Sequence, residues 1–228
     1  MNSNSNQEDN LMKINTLAIY PLLLSFCLVA CEPYEIESDV PCAQGHVHAV
    51  DLGLSVKWAC CNVGADSPED FGGYYAWGET EEKTYYEDPT YKWLNDSTGV
   101  YLKYNEEDGK TTVESVDDAA NAVMGEGWRM PTKAEMQELI DKCTWVWTKV
   151  NGVKGYMVSR NGNSIFLPAA GSYNDIYLMF DGVRGCYLTS TLFAEDIDMN
   201  CCMGFNEKAH YPINDYRSKG HTIRPVID

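Results

Sequence analysis

The residue spacing most suggestive of chemistry runs from Asp196. Asp196-Ile197-Asp198-Met199-Asn200, with Glu207 at the twelfth position, spells most of a calcium loop. Calcium needs several oxygen ligands around a sharp turn made by Gly at position six. Here that position is Cys201, and the flanks read as strands rather than helices. The plainer reading of Asp196, Asp198 and Asn200 is therefore the polar face of a strand, with calcium as the alternative. His46-x-His48 presents two imidazoles to one strand face, with no third ligand near in sequence, and a linker or edge position is preferred. No G-x-S-x-G, P-loop, H-E-x-x-H or dinucleotide glycine pattern occurs. Carboxylate pairs such as Glu81-Glu82 and Glu106-Glu107 are commonplace in so acidic a chain. The chain is expected not to be an enzyme, to need no cofactor, and to hold no metal beyond that calcium alternative.

Nine cysteines are present. Cys42, Cys60, Cys61, Cys143, Cys186, Cys201 and Cys202 follow the N-terminal segment, an odd number that cannot all pair within one chain. There is no CxxC, and the spacing does not suit zinc. Neighbours in a strand face opposite ways, so one member of each vicinal pair, 60/61 and 201/202, is expected to be buried.

Binding chemistry is richest in the last third. Tyr173, Asp175, Tyr177, Asn206, Tyr211, Asn214, Tyr216 and Arg217 supply aromatic planes, amides, acids and a guanidinium. These suit a sugar ring or a protein partner: flat apolar faces for stacking and edge groups for hydrogen bonds. The competing reading is that the tyrosines pack in the core with their hydroxyls satisfied. Seventeen basic against 34 acidic residues give a net charge of −17, which repels phosphate backbones and excludes nucleic acid as a natural partner.

The elements that must position these residues begin at His48. Residues 48–59 partly alternate and read as a strand with a bulge at Gly53. Residues 79–112 read as a long irregular insertion. One short helix is expected over Asp117 to Met124. A stronger one follows Pro131, with Thr132 and Glu135 as a capping box and Met136, Leu139, Ile140 and Cys143 on one face. Asn151-Gly152 and Asn161-Gly162 signal hairpins. Cys186–Thr191, Met199–Phe205 and Thr222–Val226 read as further strands. The order gives one α+β domain with two helices, a mostly antiparallel twisted sheet and long irregular loops.

The N-terminus reads as an address. Leu17 to Ala30 is apolar but, at fourteen residues, too short to span a bilayer, which needs roughly 20. It follows Met12-Lys13 and ends Leu28-Val29-Ala30-Cys31, which resembles the lipobox of bacterial lipoproteins. This implies a signal peptide over 1–31, acylation of Cys31, and attachment to a membrane through the lipid alone. An acidic stretch follows (Glu32, Glu35, Glu37, Asp39), so residues 32–46 read as a linker and 47–228 as the domain. The expected location is the outer membrane, with surface exposure.

Several ordered motifs carry a wider likeness: Val50-Asp51-Leu52-Gly53-Leu54-Ser55-Val56-Lys57-Trp58-Ala59, Tyr75-Ala76-Trp77-Gly78-Glu79-Thr80, Gly127-Trp128-Arg129-Met130-Pro131-Thr132, Phe166-Leu167-Pro168-Ala169-Ala170-Gly171 and Ile223-Arg224-Pro225-Val226. Together they resemble the Fibrobacter succinogenes major paralogous domain, related to the C-terminal domain of collagen-like adhesins. The resemblance implies a C-type lectin-like fold and a binding face in the C-terminal loops. It also implies a disulfide between Cys61 and Cys143. It brings no settled catalytic residues, and the sugar-binding Glu-Pro-Asn motif of lectins is absent. The function so implied is non-catalytic recognition of a glycan or protein at the cell surface. The alternatives are a structural subunit of a surface assembly and, less favoured, an enzyme like the sulfatase-activating oxidases.

Overall fold

The computed structural model describes residues 47–228 and the backbone of Glu35–Ile36. The signal segment with Cys31, and most of the stretch expected as a linker, lie outside the described residues. That stretch nevertheless contributes β1 (Glu35–Ile36), which pairs in parallel with the strand at Lys149–Val150. The alternation over 48–59 does not make one continuous strand. Gly53 sits at φ +65°, so the chain turns between β2 (Ala49–Val50) and β3 (Lys57–Ala59), which then pair antiparallel.

Residues 79–112 hold little regular structure beyond the small hairpin of β4 (Leu94–Asn95) and β5 (Val100–Tyr101). They are nonetheless packed, because their tyrosines bury rings and satisfy their hydroxyls on backbone. Tyr86 Oη donates to Tyr74 O (2.5 Å) and Tyr91 Oη to Trp77 O (2.6 Å). Tyr104 Oη donates to Asp117 Oδ2 (2.7 Å), which also takes Lys103 Nζ. Burial pushes Tyr86 and Tyr104 up to about 12, so both remain donors.

Two helices follow, α1 (Ala119–Met124) and α2 (Lys133–Lys142). Asp118 caps α1 by accepting from Ala120 N (2.8 Å), and its other oxygen accepts from Met130 N (2.8 Å). The capping box of α2 forms as the sequence indicates: Thr132 Oγ1 accepts from Glu135 N (3.2 Å) and Glu135 Oε2 from Thr132 N (2.7 Å). Met136 and Leu139 face the core.

One antiparallel run is β6 (Thr144–Val150), β7 (Val153–Arg160) and β8 (Asn163–Pro168). Both Asn-Gly pairs take positive φ at each residue (48° and 82°; 53° and 81°), the I′ geometry that matches strand twist. A small hairpin, β9 (Ser172–Asn174) and β10 (Tyr177–Met179), precedes a three-stranded sheet of β11 (Arg184–Leu192), β12 (Met199–Asn206) and β13 (Ala209–Tyr216). The last strand, β14 (Val226–Ile227), pairs antiparallel with β3 at Lys57 and Trp58. These described elements all belong to one compact unit, residues 33–228. The architecture is mixed α+β, mostly antiparallel sheet.

Two buried guanidiniums hold the irregular parts to the sheets. Arg224 donates to Asn62 Oδ1 (2.9 Å) and to the carbonyls of Ala59 (3.1 Å), Cys60 (2.6 Å) and Phe166 (2.7 Å). Arg217 does the same among residues 91–104 and Ile197. The vicinal cysteines depart from expectation: Cys60, Cys61, Cys201 and Cys202 are all buried. β12 is the middle strand and is covered on both faces, so no position along its interior meets water.

Candidate functional site

Strand alternation sorts the last third into two faces. Cross-strand pairs Cys186↔Gly204↔Tyr211, Leu188↔Cys202↔Ile213 and Asn200↔Asp215 share one face of the three-stranded sheet. Tyr187, Met203, Phe205 and His210 share the other, where His210 stacks on Trp145 (4.3 Å between centroids, 10°) and Phe205 joins the core.

On the first face lies a cleft of about 320 Å³. Its floor is Cys186, Gly204, Ile213 and Asp215; the β9–β10 hairpin and the following turn form the opposite wall with Asn174, Met179 and Phe180. The hairpin closes through Asp175 at φ +60°, and Gly171 (φ +69°) lets it pack, since a Cβ there would lie 2.3 Å from Met179 O. Gly185 is equally constrained: a Cβ would fall 2.1 Å from the Phe205 ring.

Polar groups stand at the mouth. Lys219 Nζ lies 3.0 Å from Asp215 Oδ1, and the Arg184 guanidinium sits 4.3 Å above the Phe180 ring. Phe180 and Tyr211 line this opening and are exposed; Ile176 and Tyr177 on the β9–β10 hairpin and Val183 on the turn after it are exposed as well, Val183 beside a second cleft. The arrangement sets flat apolar faces beside a carboxylate, an ammonium and an amide.

The eight expected ligand residues are not one site. Tyr211 lines the cleft, and Tyr177 is exposed on its hairpin wall. Tyr173 stacks on Tyr86 (5.4 Å, 28°) and, with Asp175, whose backbone pairs with Tyr86, holds the hairpin in place. Asn206 shapes the β12–β13 turn by accepting from Lys208 N (2.8 Å), and it lines a separate shallow cleft beside Trp147. Asn214 and Tyr216 project from β13 on the face opposite Tyr211, because side chains alternate.

Arg217 requires correction. It is about 1% exposed, and its guanidinium is turned inward rather than toward the cleft. Nε donates to Tyr91 Oη (3.0 Å), Nη1 to Tyr104 O and Ile197 O (3.2 Å each), and Nη2 to Lys103 O (3.1 Å). The Trp77, Tyr91 and Tyr101 rings surround it. The expected binding loops also prove to be partly strand: β13 is an edge strand whose Pro212 disguises it in sequence.

The calcium loop fails on geometry. Asp196 and Asp198 precede β12 while Glu207 follows it, and eight strand residues separate them by roughly 25 Å. Asn200 is buried, donating to Cys202 Sγ (3.0 Å) and Cys201 O (3.3 Å). One ion cannot touch all four. Cys61 and Cys143 are not joined either: Cys61 Sγ lies 3.4 Å from Cys60 Sγ, and Cys143 is a half-buried thiol at the end of α2. Of the two N-terminal histidines, His48 is exposed just before β2 and His46 lies outside the described residues.

The residues that sequence reasoning overlooked are Phe180, Arg184, Asp215 and Lys219, and a cluster beneath them. Cys186, Cys202 and His221 place their sulfur and nitrogen atoms within 4.8 Å of one another. Burial pushes the Cys202 thiol well above its usual range. Their spacing of sixteen and nineteen residues carries no motif, and only strand pairing brings them together.

Fold and site thus define a mixed α+β, mostly sheet domain with a mixed apolar–polar surface cleft. No family model, curated protein or solved structure matches the chain. No helix among the described residues is long and apolar enough to cross a membrane.

Proposed function

We propose that this chain is an exported lipoprotein, acylated at Cys31 and held at the outer membrane, whose C-type lectin-like domain binds a surface ligand without turning it over. The observation that carries this reading is the cleft between β11–β13 and the β9–β10 hairpin, with its exposed aromatic rim. Its volume of about 320 Å³ is at the small end for ligand pockets. That size favours one or two sugar units over a broad protein epitope. The likeness to the Fibrobacter succinogenes major paralogous domain supports the same reading, because it too implies a secreted or surface-held lectin-like module.

The test is a glycan array probed with the full chain, followed by titration of the best binder against variants. Binding weakened by Tyr211→Ala and untouched by Asn214→Ala supports the cleft as the site. A well-folded chain silent on the array, yet co-purifying with envelope proteins in fixed stoichiometry, would replace recognition with a structural role.

A further inference from the structure

Beneath the cleft, three elements deliver soft ligands to one point. Cys186 comes from β11 and Cys202 from β12, on the same face. Their positions are diagonal rather than opposite, since Cys186 pairs with Gly204 and Cys202 with Leu188. Diagonal Cα atoms lie roughly 7–8 Å apart, at or beyond the reach of a disulfide. A pair so placed is suited to chelation instead. His221 comes from the segment after β13, where its backbone is fixed on both sides by Tyr75 (His221 N to Tyr75 O, 3.0 Å; Tyr75 N to His221 O, 2.9 Å).

The imidazole is fully buried, and neither ring nitrogen has a hydrogen-bond partner among the described residues. Such a group is costly in the interior unless something ligates it. Asp215 Oδ2 stands 3.4 Å from Nε2, misaligned for a hydrogen bond but placed as a carboxylate that orients a metal-bound imidazole. Asn200 Nδ2 donates to Cys202 Sγ (3.0 Å), a contact that favours thiolate.

We propose that Cys186, Cys202 and His221 bind one Zn²⁺ at the floor of the cleft, leaving its fourth position open to the cavity. Two thiolates and a neutral imidazole leave a divalent ion with no net charge, which lowers the cost of burying it. A monovalent soft ion would leave one negative charge uncompensated. Tetrahedral zinc sets its sulfur and nitrogen ligands roughly 3.4–3.8 Å apart. The observed spread of up to 4.8 Å needs only small side-chain rotations to close. Cys186 lines the cavity, so the fourth position faces the space where a ligand's oxygen or a water would sit. This site goes beyond the recognition reading and does not depend on it.

The experiment measures metal in the full chain by mass spectrometry and titrates Co²⁺ into the metal-free form. One Zn²⁺ per chain, with thiolate-to-cobalt charge transfer and tetrahedral d–d bands, is expected. Cys186→Ser and His221→Ala each lower retained zinc at least about tenfold, while Cys143→Ser keeps it. Should the first two variants unfold, the wild-type chain still reports: chelation raises iodoacetamide labelling of Cys186 and leaves Cys143 unchanged. Absence of zinc, cobalt bands without thiolate character, a Cys186–Cys202 disulfide, or Cu⁺ retained where Zn²⁺ is not would each overturn the assignment.

Discussion

Arg217→Met separates a structural guanidinium from a ligand-binding one. The wild-type side chain donates four hydrogen bonds, to one phenol and three backbone carbonyls contributed by Lys103, Tyr104 and Ile197. Methionine fills similar volume and can donate to none of them. Each buried acceptor left unpaired costs about 1–3 kcal/mol, with the lower value apt where a carbonyl keeps another partner or admits water. Loss of the cation over Tyr101 (4.2 Å) and Trp77 (4.9 Å) adds about 1 kcal/mol. Against this, the variant no longer desolvates a charge that has no carboxylate partner among the described residues, which returns a few kcal/mol. The net expectation is a loss of about 3–5 kcal/mol. For a domain with about 5–15 kcal/mol in total, that lowers Tm by roughly 10 °C, at 2–4 °C per kcal/mol for this size. Urea unfolding followed by tryptophan fluorescence measures it. A variant within about 1 kcal/mol of wild type that has lost ligand would refute the structural assignment and restore Arg217 to the binding face.

Other outcomes follow from the same geometry. Tyr211→Ala should weaken a cleft ligand about tenfold, the worth of one aromatic stacking face, whereas Asn214→Ala on the opposite face should leave calorimetric affinity unchanged. Glu138 is held down to about 2, chiefly by Lys142 and then by Ser55, which donates through both Oγ and N. A carboxyl with a lowered folded value stabilises above its unfolded value near 4.5 and loses that contribution as pH falls toward 2. Glu138→Gln should therefore flatten the acid limb of stability between those values, by about 1 kcal/mol or less because Lys142 is largely solvated; an unchanged limb would remove the pairing from the account. Gly185→Ala forces a methyl into the Phe205 ring and should cost about 1–3 kcal/mol while distorting the cleft, seen as a lower urea midpoint. Cys31→Ser should abolish incorporation of a fatty-acid analogue into the chain and release it from membranes.

Local signals in the sequence were reliable where the chemistry itself is local. The capping box at Thr132 and Glu135 needs only three residues of separation, and both Asn-Gly turns follow from the ease with which those residues take positive φ. Arg184–Leu192 declares itself by apolar, β-branched and aromatic content, and Met199–Asn206 by an apolar run ending in Phe205. β13 does not, because an edge strand alternates weakly and Pro212 reads as a breaker. The segment 79–112 looks irregular and is, yet its order rests on tyrosine hydroxyls reaching backbone carbonyls far away in sequence, which no local pattern announces.

Composition and spacing alone determined an acidic α+β chain, its two helices and its principal hairpins. The division of the last third into opposite faces was a tertiary decision. It followed from which strand paired with which, and it put Tyr211 and Asp215 in a cleft while turning Asn214 and Tyr216 away. Burial likewise decided Arg217, since a guanidinium in sequence is equally fit to grip a ligand or to tie carbonyls together. The convergence of Cys186, Cys202 and His221 belongs to the same class. Contacts between residues distant along the chain depend on register, and register is set by the packing of whole faces rather than by any residue's own type.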